Sequence, residues 1–190
     1  MSQALPVARI PVADYLDGER TSEIRHEYVD GRVHAMVGVS KTHNRLTKRL
    51  SRLVDDRIGG MPCEAFTSDV KVRIKTLETE RFYYPDVHIE CEPYTADPYY
   101  SDHPVLVIEI LSKRTERKDR PDKFYAYRKL PSLREYVLVA QDEPRMEVYR
   151  RERDWELEVY GAGDRLRLGS IAGELAVDDV YRGIELSTDG

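Results

Sequence analysis

The chain has 190 residues, of which 41% are hydrophobic and 34% charged, with a net charge of −5. That length suits one domain with its own core and is short for two, and the mixed charge signs exclude a disordered polyelectrolyte. No apolar run approaches the length of a membrane span, and the opening MSQALPVARIPVADYLDG lacks the continuous apolar stretch of a secretion signal, so a cytoplasmic protein is expected.

Residues 1–24 read as a lead-in with one short helix, for which Gly18 offers a stop. IRHEYVDGRVHAM follows as two strands joined by Asp30-Gly31, the strongest short hairpin signal. A two-residue loop places Tyr28 opposite Val33, His26 opposite Ala35 and Glu27 opposite His34. SKTHNRLTKRLSRLVDDRI is an amphipathic helix: Leu46, Leu50, Leu53, Val54 and Arg57 keep helical spacing. Ser40 or Thr42 can cap it, Gly59-Gly60 ends it, and His43 lies one turn before Leu46 on the same stripe.

EAFTSDVKVRIKT alternates and predicts one half-buried strand, with Val70, Val72 and Ile74 facing inward and Asp69, Lys71 and Arg73 outward. RFYYPDVHIEC is the next strand, with Pro85 marking an edge or a beginning. After a polar loop, PVLVIEIL is a nearly continuous apolar run, the pattern of a central strand buried on both faces. SKRTERKDRPDKFYAYRKLPSL begins as a basic loop and becomes a helix, with Pro121 in its first turn and Pro131 closing it. REYVLVA, RMEVYRRE and DWELEVYG are strands, and the tail ends in a short strand and a helical turn. The order of helix, hairpin, helix, strands, helix, strands predicts an α/β or α+β fold: a mixed central sheet flanked by helices. One domain over 1–190 is expected, a lead-in at 1–24 preceding a core at 25–186.

One acid interrupts the apolar run of PVLVIEIL. Ionised Glu109 costs several kcal/mol if left unpaired in a dry core, so a cation must compensate it. Asp86 lies 23 positions earlier, at the start of another strand. If those strands are neighbours, both carboxylates converge on one ion. Two carboxylates, a backbone carbonyl such as that of Ile110, and waters suit Mg²⁺ or Mn²⁺. Asp119, Lys123 and Tyr127 share one helix face at i, i+4, i+8, and the Lys123 ammonium can hold a hydroxide or a phosphate there.

The stretches YYPDVHIE, PVLVIEILSKRTERKDRPDKFYAYRKL and REYVLV together resemble the Uma-two restriction-endonuclease family of the PD-(D/E)XK nuclease superfamily. Pro85, Asp86, Glu109, Ser112, Thr115, Asp119, Lys123, Tyr127, Glu135 and Tyr136 occupy the places of its motif, and EYVDGRVHAM and His43 match its opening pattern. The resemblance implies a restriction-endonuclease-like core, bound Mg²⁺, and hydrolysis of DNA phosphodiester bonds, with a homodimer as the assembly. One departure stands out: the superfamily lysine normally lies two residues after the acid, where this chain has Leu111, so the role moves to Lys123 on the helix.

Each of these residues also has a structural reading. Asp86 is a turn residue after Pro85, Glu109 an ion-pair partner, Lys123 a solvated helix lysine. Asp119 is a helix cap, and Tyr127 a core residue. Glu27 is either site support or the cross-strand partner of His34, and His43 either a ligand or a satisfied helix histidine. From Ser112 to Lys129 eight basic residues stand against three acids, and Lys113, Arg114, Arg117, Lys118 and Arg120 can grip a phosphate backbone or simply be solvated. The acidic total and Leu111 keep open a non-catalytic module that binds nucleic acid or a protein partner. Cys63 and Cys91 form neither a CxxC pair nor a zinc spacing and are expected as reduced thiols. The tyrosines at 83, 84, 99 and 100 offer surface for a dimer contact.

Overall fold

The computed structural model describes residues 9–111 and 119–186. Helix α1 (Val12–Thr21) leads into the hairpin of β1 (His26–Val29) and β2 (Arg32–Ala35), whose register is the one the two-residue loop dictates. Asp30 and Gly31 both take positive φ, 51° and 95°, as a mirror-image turn needs. A Cβ on Gly31 would meet the Arg9 Cβ at 2.7 Å, so only glycine fits. Helix α2 (Lys41–Ile58) is capped by Ser40, whose Oγ accepts the His43 N–H at 3.0 Å.

Two segments that alternate like single strands are each divided. EAFTSDVKVRIKT becomes β3 (Cys63–Thr67) and β4 (Lys71–Lys75), separated by a turn in which the Val70 N–H donates to the Thr67 carbonyl. RFYYPDVHIEC becomes β5 (Glu80–Tyr83) and β6 (Val87–Cys91), with Pro85 between them. Proline has no N–H to give a ladder, so pairing lapses there and resumes in another sheet. At both breaks the chain crosses between sheets, and β4 consequently buries Lys71 as well as Val72 and Ile74.

The remaining elements are β7 (Tyr100–Ser101), β8 (Pro104–Leu111), α3 (Asp119–Tyr127), β9 (Glu135–Ala140), β10 (Arg145–Arg150), β11 (Leu157–Gly161), β12 (Arg165–Leu168), β13 (Gly173–Ala176) and α4 (Val177–Tyr181). A five-stranded sheet runs β2-β1-β5-β4-β7, a six-stranded sheet β11-β10-β9-β8-β6-β3, and β12-β13 form a hairpin. The large sheet is mixed: β8 runs antiparallel to β6 and parallel to β9. The tail carries one strand more than its sequence suggests, because RLRL pairs with GELA. Gly18 does not stop α1, which continues to Thr21.

One face of the large sheet packs Val87, Ile89, Leu106, Ile108 and Val137 against Leu46, Leu50 and Val54 of α2. The other face sets Val107, Tyr136 and Leu138 against Ala126 and Tyr127 of α3 and against Val72, Ile74 and Tyr83 of the small sheet. β8 is thus buried on both faces, as its continuous apolar run requires. Tyr15 of α1 packs on Tyr28 and Phe82, with ring centroids 5.0 and 5.5 Å apart, and ties the N-terminal helix to the small sheet. Tyr83 and Tyr84 are likewise core residues; of the four tyrosines expected at a surface contact, only Tyr99 is exposed, at 53%.

Cys63 and Cys91 are joined in a disulfide, not held as free thiols. The register pairs them directly across β3 and β6, a proximity hidden while the sequence between them reads as continuous strands. At the start of β9 Glu135 is buried against Arg150 and accepts the backbone N–H groups of Gly169 (3.1 Å) and Ser170 (3.0 Å). Arg150 in turn donates to Glu158 at 3.0 Å and to the Arg167 carbonyl at 2.7 Å. Removing one partner of such a pair leaves a charge stranded in the interior. Glu135→Ala is therefore expected to lower stability by about 3–5 kcal/mol in urea denaturation, and a loss below about 1 kcal/mol would contradict this account.

Candidate functional site

The site forms where β6 begins after Pro85. Val87 pairs with Ile108, so Asp86, one residue before, lies beside Glu109 on the α3-facing side of the large sheet. With β6 only beginning there, the N–H of Ile110 has a side-chain acceptor: the Asp86 Oδ2, at 2.7 Å. The other carboxylate oxygen lies 2.7 Å from the His43 Nε2, presented by the first turn of α2. Asp86 therefore spans from the α2 N-terminus to the strand that carries Glu109.

Glu109 meets α3. The Lys123 Nζ stands 3.5 Å from its Oε1, and the Tyr127 hydroxyl donates to the same oxygen at 3.4 Å. Lys123 is closer still to Glu27 of β1, at 2.7 Å, and lies over the Tyr83 ring, 5.3 Å from its centroid. Glu27 faces His34 in the hairpin register, yet its carboxylate is committed to Lys123. Three carboxylates, Glu27, Asp86 and Glu109, thus surround one ammonium.

Burial pushes the Glu109 carboxyl up to about 7; Lys123 opposes the rise, and Asp86 and Glu27 add to it. Burial works against the Lys123 charge, but Glu109 and Glu27 outweigh it and hold the ammonium above the usual lysine value. Burial, followed by the Glu109 charge, raises the Tyr127 hydroxyl well above its usual value, so it remains a proton donor.

The structure thus brings together Glu27, His43, Glu109, Ile110, Lys123 and Tyr127 from four elements and Asp86 from just before β6. Ser112, Lys113, Arg114, Thr115, Arg117 and Lys118 lie outside the described residues, as do the side chains of Asp119 and Arg120. Among the described residues no group of three or more His, Cys, Asp or Glu is arranged to hold a metal ion by itself. A cation at Asp86 and Glu109 would draw its other ligands from backbone and water. That suits Mg²⁺, which keeps several waters, and the hard oxygen donors fit such an ion.

Sequence reasoning missed two features next to this site. Gln141, just after β9, accepts the Ser40 hydroxyl at 2.8 Å and so anchors the cap of the helix that presents His43. Glu147 is buried on β10, level with Leu138 and hence on the Glu109 side of the sheet. An acid between Met146 and Val148 carries the same signal as Glu109 in its strand, and an equal reading of both would have found it.

A family model described as "Putative restriction endonuclease", Uma2, matches residues 12–178. The uncharacterized protein slr1290 of Synechocystis sp. is 37% identical over 186 residues, covering 96% of this chain and 97% of that protein. A second uncharacterized Synechocystis protein, sll1609, is 35% identical over 157 residues, 78% of this chain and 85% of its own length. Among solved structures, that of a putative nuclease belonging to DUF820 from Anabaena variabilis superposes with a TM-score of 0.70 over 93% of this chain and 98% of the other. At 17% identity that likeness concerns the fold. On the extent of the family match and the identity to these relatives, the chain belongs to the Uma2 restriction-endonuclease-like family.

Proposed function

We propose that the chain is a divalent-metal-dependent endonuclease that hydrolyses phosphodiester bonds of DNA. The observation that carries the reading is the pair of neighbouring acids, Asp86 held by the Ile110 N–H and Glu109 by Lys123 and Tyr127, in a site where carboxylates outnumber cations among the described residues. Family membership and the fold shared with the Anabaena variabilis putative nuclease support it. Asp86, Glu109 and the Ile110 carbonyl would hold the ion. When bound, Mg²⁺ or Mn²⁺ supplies Lewis-acid polarisation of the phosphate and lowers the pKa of water.

The chain's own residues have separate tasks. Lys123, kept charged by Glu109 and Glu27, offers its ammonium to a phosphate oxygen and to the charge that develops as the bond breaks. His43 orients the Asp86 carboxylate through its Nε2, and Tyr127 does the same for Glu109 from below. Cutting both strands of a duplex calls for two copies of this site, as in a homodimer. The non-catalytic alternative rested on Leu111 and the acidic total. An ammonium within 3.5 Å of Glu109, supplied from α3, weighs against it.

Asp86→Asn keeps an acceptor for the Ile110 N–H and removes the charge. It is expected to reduce plasmid cleavage in Mg²⁺ or Mn²⁺ at least about 100-fold with an unchanged circular-dichroism melt; full-rate cutting would overturn the assignment. A second prediction concerns pH. Glu109 holds a proton up to about pH 7, and the cation must displace it. Below that pH, Mn²⁺ affinity measured by titration calorimetry should fall by up to about tenfold per pH unit, and above it should level off. An affinity flat from pH 5.5 to 8, a range of roughly 2–3 units around the raised value, would exclude Glu109 as a ligand.

A further inference from the structure

A cavity of about 40 Å³ lies between α1 and the edge of the small sheet formed by β4 and β7. Lys71 lines it. On β4 it precedes Val72, which packs toward α3, so Lys71 points to the other face, toward α1. It is only 6% exposed. Among the described residues its ammonium has neither a hydrogen bond nor an ion pair. It lies over the Tyr84 ring, 5.3 Å from the centroid. Glu19, also on the wall, is already engaged: its carboxylate meets the His26 Nδ1 at 2.7 Å, the His26 N–H at 3.2 Å and the Tyr84 hydroxyl at 2.7 Å. Asp97 accepts the Tyr99 N–H at 2.9 Å. Arg20 is exposed at the rim, its guanidinium 5.5 Å from the centroid of the Tyr99 ring.

An ammonium taken out of water without a partner is costly, and a ring face offsets only part of the loss. Burial lowers the Lys71 pKa below the usual lysine value, and Glu19 counters only part of that. The charged groups acting on it most are two acids, Glu19 and Asp97, and two arginines, Arg20 and Arg25, which pull in opposite directions. The charge of the ammonium itself is left over, and it faces a cavity. These features restrict the occupant. The volume corresponds to about three waters at roughly 10–15 Å³ each, too little for a nucleobase. A metal cation is repelled by Lys71 and Arg20. A small oxyanion supplies the acceptor that the ammonium lacks, and Arg20 adds a forked donor of the kind that holds phosphate.

We infer that this cavity is an oxyanion subsite in which Lys71, with Arg20 at the rim, holds one phosphate group, either free or part of a nucleic-acid backbone. It uses none of the acids around Lys123, so it goes beyond the endonuclease reading and does not depend on it. The anion joins Arg20 of α1 to Lys71 of β4. It thereby fastens the N-terminal helix to the small sheet about one turn beyond the Tyr15 contact.

Thermal melts in EDTA, with chloride holding the ionic strength constant, test the subsite apart from any metal. Inorganic phosphate is expected to raise the wild-type melting temperature saturably, by about 3–6 °C at ten times its Kd. Lys71→Met keeps an unbranched apolar stem without the charge and should remove the response. Arg20→Gln, at an exposed position, should weaken phosphate at least about threefold. It decides the question by itself if the Lys71→Met protein does not fold. Dimethyl phosphate separates the two sources. A diester that binds more tightly than inorganic phosphate assigns the subsite to a nucleic-acid backbone, and one that binds more weakly assigns it to the free anion; both keep the subsite. No wild-type response beyond that to chloride, or a response that either variant leaves unchanged, would overturn the inference.

Discussion

Everything at the site depends on one electrostatic arrangement: Glu27 of β1, Asp86 just before β6 and Glu109 of β8 around the ammonium of Lys123. An isolated buried carboxylate is driven to neutrality, and Glu109 is already partway there. Lys123 keeps it from going further, and the Ile110 N–H does the corresponding work for Asp86. The compensation is incomplete by design of the fold. Among the described residues the site has more anionic side chains than cationic ones, which favours a further positive charge, while its oxygen donors disfavour soft metals.

The fold serves this arrangement through two crossings between sheets. The turn after Thr67 takes the chain from the large sheet to the small one, and Pro85 brings it back. Asp86 is the first residue after the return, so its position is set by where a proline ends pairing. The small sheet contributes Glu27 and Tyr83, and the large sheet Asp86 and Glu109. The lysine that joins the acids comes from α3, which packs where the two sheets meet.

Local chemistry was legible in the sequence, and strand continuity was not. The Asp30-Gly31 turn and its register follow from the two-residue loop, and of the two caps open before the apolar stripe, Ser40 and Thr42, the fold uses Ser40. The burial of β8 follows from its unbroken apolar run. The splits within 64–76 and 81–91 were hidden because alternation continues across both breaks, and period-2 patterning does not say to which sheet a strand belongs. The Cys63–Cys91 bond was missed for the same reason, since it depends on the pairing of β3 with β6. At the site, Glu109 stood out as an acid inside an apolar run and Asp86 as an acid at the start of another strand. Lys123 had no such mark, because a helix lysine looks solvated until the third dimension brings Glu27 and Glu109 to it.

The placement of Lys123 on a helix has a mechanical consequence. An ammonium two residues along β8 would be fixed to Glu109 by the covalent pitch of the strand. Here the separation is set by how α3 seats on its aromatic bed, with the Phe124 ring tilted against Tyr149 at 4.5 Å between centroids and Tyr127 against Tyr136 at 5.5 Å. Ring size at those contacts acts as a shim under the helix. A change of ring size at Phe124 or Tyr149 alters the seat of the helix and with it the spacing between the ammonium and the two acids.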